Sequence, residues 1–175
     1  DGILFDIGGG STEFVEVGSE KIVEAQSIPI GSLNLFNHFI QKIWPKKQEM
    51  REIEQQIEAS LSTVILPRTT FSHACCIGGT ARATLKIANM YFHKEETNRV
   101  LTVSQLRQLL SVMKQRDTQT RKLILNACPD RLHTIIPGMI LLQMLTDRLC
   151  KKEIFVSPYG VREGYLCQKL LNTTT

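Results

Sequence analysis

The feature that most constrains this sequence is a run of three glycines between two short segments of alternating apolar residues. The glycines occupy positions 8–10, and the segments on either side are residues 3–7 and 12–17. Alternation with a period of two is typical of a half-buried β-strand, and a glycine-rich link of four residues is typical of the turn between two strands. The sequence therefore predicts a β-hairpin near its start.

Two acidic residues face each other across this predicted hairpin. If Ile7 pairs with Thr12, then Asp6 pairs with Glu13, on the face opposite to Phe5 and Phe14. Because facing like charges destabilise a sheet, the pair favours either a bound cation or protonation of one acid. Carboxylate oxygens, completed by phosphate and water, suit Mg²⁺. We therefore predict Asp6 and Glu13 as metal ligands and as supporting catalytic residues.

The turn between the two strands is suited to hold phosphate. Gly8, Gly9 and Gly10 allow the backbone to adopt positive φ and to approach a ligand closely, and successive N–H groups in such a turn form an anion-binding nest. Ser11 and Thr12 add hydroxyl donors. The simpler alternative is a glycine-rich hairpin with two solvated acids, but the acids, glycines and hydroxyls in combination favour a phosphate site.

A second glycine-rich junction follows a predicted strand at residues 72–77. There Gly78, Gly79 and Thr80 open a predicted helix, whose N-terminus attracts anions. We predict these three residues as further phosphate-binding residues; the alternative is that they only separate a strand from a helix. Arg82 lies in the first turn, where a cation opposes the helix dipole, and this favours an acidic or phosphate partner.

Hydrophobic spacing along the rest of the chain predicts an α/β domain with a mixed five-stranded sheet. The predicted order is three strands, two helices, one strand, four helices, one strand and one helix. Pro67 is expected to end the second helix. The remaining strands are predicted at residues 21–30 and 153–157. The helices are predicted at residues 31–43, 46–66, 78–92, 118–126, 137–149 and 161–171, and one more is predicted to begin at a capping box in residues 102–105.

Composition places the 175 residues among ordinary globular domains. Apolar residues make up 42% and charged residues 22%, which excludes disordered, collagenous and coiled-coil chains. The length predicts one domain, residues 1–175. The five cysteines form no disulfide framework and no zinc pattern, which is typical of a cytoplasmic protein. The longest apolar stretch, residues 135–145, is broken by polar residues, so we expect no contact with a membrane.

Charge is unevenly distributed along the chain. Residues 1–60 hold ten acidic and five basic residues, whereas residues 61–175 hold seven acidic and sixteen basic residues. A basic half can attract a polyanion such as nucleic acid, polyphosphate or a nucleotide, although a solvated basic surface has the same composition. The single tryptophan and the aromatic content of 6% argue against a stacking platform for nucleic acid.

The motifs at residues 6–13 and 78–80 resemble those of the Ppx/GppA family, which comprises exopolyphosphatases and guanosine pentaphosphate phosphohydrolases. The resemblance continues in order through residues 29–31, 136–138 and 161–164. It implies the actin-like, sugar kinase and Hsp70 ATPase superfold, which is built from two ribonuclease-H-like lobes. It also identifies this chain as the second lobe, with the first lobe of the same protein expected upstream of its opening strand.

The resemblance implies release of terminal phosphate from inorganic polyphosphate or guanosine pentaphosphate by Mg²⁺-assisted attack of water. Family roles then fall on Asp6 and Glu13 near the metal, while the general base belongs to the first lobe, so the fragment alone is expected to be nearly inactive. Whether the protein forms a homodimer is left undecided by the resemblance. Two alternatives stay open: an ATP-dependent phosphotransferase of the same superfold, and a decayed module that binds polyphosphate or guanosine tetraphosphate. Two residues depart from the family pattern, Asn34 in place of an arginine and His133 in place of an aspartate, and Asn34 favours the decayed module.

Overall fold

The computed structural model describes residues 2–19, 21–65 and 71–171. Within these residues, six strands form one mixed sheet in the order β3-β2-β1-β4-β6-β5. The strands are β1 (Gly2–Ile7), β2 (Thr12–Gly18), β3 (Lys21–Ile28), β4 (Phe71–Ile77), β5 (Val100–Thr102) and β6 (Cys150–Val156). The helices are α1 (Ser32–Phe39), α2 (Lys47–Leu61), α3 (Gly78–Tyr91), α4 (Val103–Met113), α5 (Thr118–Ala127), α6 (Ile135–Leu149) and α7 (Val161–Leu171).

The core lies between the sheet and a helical layer centred on α6. This helix is apolar around most of its circumference, which is typical of a helix that is buried on all sides. It contacts β1 and β6 of the sheet and also α1, α2, α3 and α4. The arrangement confirms the α/β class expected from the sequence.

The opening hairpin has the predicted register. Ile7 pairs with Thr12 and Asp6 pairs with Glu13, and β1 also pairs in parallel with β4. Phe5 and Phe14, which pair with each other, are 0% and 2% exposed. Alternation along the two strands therefore buries one face against the helices and leaves the acid pair on the other.

The expectation of five strands is wrong, because β5 adds a sixth at the sheet edge. This strand has only three residues and pairs antiparallel with β6. Three residues are too few to produce a recognisable alternation in a sequence, and strand pairing rather than local pattern creates the element. It ends directly at the N-cap of α4, where a capping box was predicted and is present.

Several element ends also differ from the sequence prediction. β3 ends at Ile28 rather than residue 30, since Pro29 has no N–H to continue the ladder. α1 ends at Phe39 rather than residue 43, because Ile40 adopts an extended backbone. α2 ends at Leu61; the predicted helix end at residue 66 and the stop at Pro67 lie outside the described residues.

α7 differs from the other helices in having no buried residue. Its apolar side chains Val161, Tyr165 and Leu166 are 67%, 58% and 58% exposed. None of the helices in the described part of the chain combines the length and the apolar character that crossing a bilayer requires.

Replacing Thr102 tests the junction between β5 and α4. The Thr102 hydroxyl accepts a hydrogen bond of 3.1 Å from the backbone N–H of Gln105, and the Gln105 side chain accepts one of 3.1 Å from the Thr102 N–H. We expect Thr102→Ala to lower the free energy of unfolding by about 1 kcal/mol, measured by urea denaturation. Thr102→Ser keeps the hydroxyl and serves as the control; an equal loss in both variants would contradict the capping role.

Candidate functional site

The site is built around the glycine turn between β1 and β2. The turn is closed by a hydrogen bond of 3.0 Å from the Gly8 N–H to the Ser11 carbonyl oxygen. Gly9 and Gly10 form its exposed tip. Their N–H groups donate no hydrogen bond to any described residue, so they remain available to an anion that approaches the tip.

The turn is held in place by the start of α1. The backbone N–H of Ser32 donates to the Gly8 carbonyl oxygen at 2.9 Å, and those of Leu33 and Asn34 donate to the Gly9 carbonyl oxygen at 2.9 and 3.0 Å. The first N–H groups of a helix have no partner within the helix, so these bonds satisfy them. The turn carbonyls are thereby directed at the helix.

The Asn34 side chain also stabilises the contact between the turn and α1. Its Nδ2 donates to the carbonyl oxygens of Gly10 at 2.8 Å and Pro29 at 3.0 Å, while its Oδ1 accepts from the Gly31 N–H at 2.7 Å. Both N–H donors and the oxygen of this amide are used to join the turn to the helix. The sequence singled out Asn34 only as a missing cation and did not reveal this role.

Gly31 makes the close approach of turn and helix possible. A Cβ at this position would lie 2.5 Å from the Gly9 carbonyl oxygen and 2.6 Å from the Gly10 nitrogen. Both distances are well inside van der Waals contact with backbone atoms that cannot rotate away. Any side chain at Gly31 must therefore push the turn off the helix.

The two facing carboxylates have different surroundings. Glu13 Oε1 accepts hydrogen bonds from the hydroxyls of Ser11 at 2.7 Å and Ser27 at 2.9 Å. The Asp6 carboxylate accepts none from the described residues. Partial burial, and then the negative charge of Glu13, raise the pKa of Asp6, while the positive charge of Arg82 opposes that rise.

The raised pKa of Asp6 determines the direction in which the stability of the folded state changes with pH. A carboxyl group that binds its proton more tightly in the folded state destabilises that state as pH rises through its raised pKa. A cation beside the deprotonated carboxylate would remove this penalty. Asp6 forms no ion pair with another described residue, and a bound metal can supply the missing positive charge.

The second glycine junction lies directly beside Asp6. β1 and β4 run in parallel with Asp6 paired to Ile77, so the residue after the strand comes close to the carboxylate. Gly78 has a φ of +86°, and a Cβ there would collide with the Asp6 side chain. The structure therefore brings the two predicted motifs together, and Gly78 is required both by its backbone conformation and by space.

Arg131 completes this side of the site and was not among the predicted site residues. Its guanidinium lies against Gly79, where a Cβ would be 2.6 Å from the Arg131 Cζ. The cation therefore sits at the N-terminus of α3, although a cation is unfavourable at that end of a helix. In this part of the sequence only His133, two residues further on, was named for its departure from the family pattern.

Besides Ser11, whose hydroxyl donates to Glu13, two of the predicted phosphate ligands use their hydroxyls inside the protein. The buried Thr12 hydroxyl donates to the Ile30 carbonyl oxygen at 2.6 Å. Thr80 is 1% exposed, and its hydroxyl lies 3.5 Å from that of Ser32. Both hydroxyls tie the hairpin and α3 to the start of α1. A contribution of Thr12 or Thr80 to phosphate binding stays a prediction.

The residues present fit a divalent cation only as part of a larger ligand set. Asp6 and Glu13 offer hard oxygen donors, and one of the two carboxylates is unshared. Within the described ranges, no group of three or more histidine, cysteine or acidic side chains is placed to hold a metal. Mg²⁺ usually keeps several waters and takes further oxygens from a substrate phosphate, so two protein carboxylates suit it.

Comparison with known proteins agrees with this geometry. The model of the Ppx/GppA phosphatase family matches residues 1–173, which is nearly the whole chain. The chain belongs to the Ppx/GppA phosphatase family. Both glycine motifs and the acid pair of this family member lie within the matched residues.

Individual relatives extend the comparison. Exopolyphosphatase 1 of Mycobacterium leprae is 24% identical over 173 residues, covering 96% of this chain and 51% of the relative. The Aquifex aeolicus Ppx/GppA crystal structure superposes with a TM-score of 0.80 at 27% identity, covering 99% of this chain and 57% of that one. An exopolyphosphatase from Cytophaga hutchinsonii has a TM-score of 0.81 at 19% identity and 57% coverage of that chain, which supports the fold. This Ppx/GppA family member spans about half the length of these relatives.

Replacing Gly31 tests the contact that holds the turn. We expect Gly31→Ala to lower the free energy of unfolding by about 1–3 kcal/mol, since the added methyl group overlaps the turn backbone. The matched control is Gly10→Ala, because a Cβ at Gly10 meets nothing within 4 Å. Chemical denaturation of both variants gives the measurement. A Gly31→Ala variant as stable as Gly10→Ala would show that the turn is not held against α1.

Proposed function

We propose that this chain is the second lobe of a phosphatase that releases terminal phosphate from a polyphosphate chain with the help of Mg²⁺. The observation that carries the proposal is the outward-facing tip of the glycine turn beside two facing carboxylates. Backbone N–H groups bind phosphate oxygens, and the carboxylates bind the cation that neutralises them. Membership of the Ppx/GppA family supports the same chemistry.

The turn would act on the phosphoryl group that is transferred. The N–H groups of Gly9 and Gly10 are fixed before substrate arrives, because α1 holds their carbonyls. Donors that need no reorganisation stabilise charge on phosphate oxygens more effectively than mobile water. The Arg131 guanidinium lies beside Gly79, where it would attract the rest of the phosphate chain.

Asp6 and Glu13 would hold Mg²⁺ through their carboxylate oxygens. When bound, the ion would neutralise charge on the phosphate oxygens and help to orient the attacking water. Glu13 is positioned for this by the hydroxyls of Ser11 and Ser27, which fix one of its oxygens and leave the other for the metal. The unshared Asp6 carboxylate would supply the second protein ligand.

The general base is assigned to a first lobe of the same protein. The relatives are about twice as long as this chain, and a cleft between two lobes is a common place for a ligand site. On this proposal the isolated chain binds phosphate but turns over little substrate. Inorganic polyphosphate and guanosine pentaphosphate are the proposed substrates, and the cytoplasm is the proposed location.

The structural role of Asn34 bears on the alternative of a decayed binding module. That alternative rested on the loss of an arginine at this position. Because the Asn34 amide secures the turn through three hydrogen bonds, its presence is explained without loss of activity. An active phosphatase is therefore the function that we propose.

Release of phosphate by the full-length protein tests the proposal. We expect Asp6→Asn and Glu13→Gln each to lower Mg²⁺-dependent release from polyphosphate by about 100-fold or more, since each removes a charge beside the metal. Glu16→Gln, on the same strand β2 but paired with Glu24 of β3, is the control and should retain activity. Activity that survives either site substitution, or that needs no divalent cation, would refute the assignment.

A further inference from the structure

The first turns of three helices meet at one point next to the glycine turn. Ser32 begins α1, Thr80 lies in the first turn of α3, and Gly138 lies in the first turn of α6. A Cβ at Gly138 would be 2.6 Å from the Thr80 Cγ2 and 3.2 Å from the Ser32 Cβ. Any side chain at Gly138 would therefore press on both of the helices that carry the proposed phosphate-binding elements.

The space next to Gly138 cannot be enlarged by a small adjustment of one side chain. Thr80 is 1% exposed and β-branched, so its methyl group can move only by rotation about χ1. That rotation would also move its hydroxyl, which lies 3.5 Å from the hydroxyl of Ser32. The Thr80 carbonyl oxygen is held within α3 by the Thr84 hydroxyl, which donates to it at 2.9 Å. An added methyl group must therefore displace the first turn of α3 or of α1.

Both displacements would reach the proposed phosphate site. The Ser32 N–H and hydroxyl donate to the Gly8 carbonyl oxygen at 2.9 and 3.3 Å, so a shift of Ser32 moves the glycine turn. Thr80 follows Gly78 by two residues, and Gly78 lies against the Asp6 carboxylate. A shift of Thr80 therefore changes the position of the second glycine motif relative to that carboxylate.

Helix propensity gives no reason for a glycine at this position. Glycine destabilises the interior of a helix relative to alanine, and most of the other α6 residues are buried and apolar. The close contact with Thr80 and Ser32 does give a reason, because only a residue without Cβ leaves room for it. Gly164 of α7 differs in this respect, since a Cβ there would meet nothing within 4 Å.

We propose that Gly138 is a positioning residue that sets the separation of the two glycine motifs. It acts through Thr80 on the start of α3, and through Ser32 on the start of α1 and the turn. Its effect on the geometry of the turn is independent of the reaction. The inference rests on the proposed function only for its effect on catalysis.

Amide NMR and kinetics of the full-length protein test the role of Gly138. We expect Gly138→Ala to shift the amide resonances of Gly9 and Gly10 in the absence of ligand. It should also lower kcat for Mg²⁺-dependent phosphate release from polyphosphate by about tenfold or more, because small misplacements of aligned groups slow the chemical step. KM should change less than kcat, since the binding groups themselves are retained.

Thr80→Ser provides a matched rescue, because it removes the methyl group that the new Cβ would overlap and keeps the hydroxyl. In the double variant, the Gly9 and Gly10 resonances should return to their positions in Thr80→Ser alone, and kcat should be within about threefold of that variant. If Gly138→Ala does not fold, recovery of the fold and of these resonances in the double variant supports the same role. Thermal melting reports whether each variant is folded.

Gly164→Ala is the control for adding a methyl group to a helix glycine, and it should leave the Gly9 and Gly10 resonances in place. Unshifted resonances in Gly138→Ala, shifted resonances with unchanged kcat, or a defect that Thr80→Ser does not relieve would each overturn the proposal. A wild-type protein without Mg²⁺-dependent phosphate release contradicts the proposed function instead. The resonances then decide alone whether Gly138 positions the turn.

Discussion

The site depends on hydrogen bonds between the start of α1 and the carbonyl oxygens of Gly8 and Gly9. These bonds satisfy helix N–H groups that would otherwise need a capping side chain, and Gly31 at the N-cap position provides none. Because the carbonyls are directed at the helix, the tip of the turn presents its N–H groups to solvent. The proposed anion-binding surface thus follows from the way a helix is capped.

Three distant parts of the chain meet at this surface. The hairpin supplies Asp6 and Glu13, the start of α1 fixes the turn, and the start of α3 brings Gly78 against the Asp6 carboxylate. Parallel pairing of β1 with β4 makes the last contact unavoidable, because it aligns the ends of both strands. The raised pKa of Asp6 is a consequence of this crowding, and a divalent cation would relieve it.

Local pattern predicted the parts of this arrangement that depend on neighbouring residues. Alternation of apolar side chains gave the hairpin register that faces Asp6 with Glu13, and the capping box gave the start of α4. Neither the hydrogen bonds between Asn34 and the turn nor the approach of Arg131 to Gly79 could be predicted, since each joins residues far apart in sequence. The hydrogen bond of the Thr12 hydroxyl could not be predicted for the same reason, since its partner, Ile30, is 18 residues away.

The most direct measurement of the central claim is amide NMR of the full-length protein during titration with inorganic phosphate and Mg²⁺. The account predicts saturable shifts of the Gly9 and Gly10 amide resonances that need both components, and that are lost when Asp6 is replaced by Asn. Resonances of the β2–β3 ribbon far from the turn should not move. Unchanged Gly9 and Gly10 amides at saturating phosphate and Mg²⁺ would contradict the account.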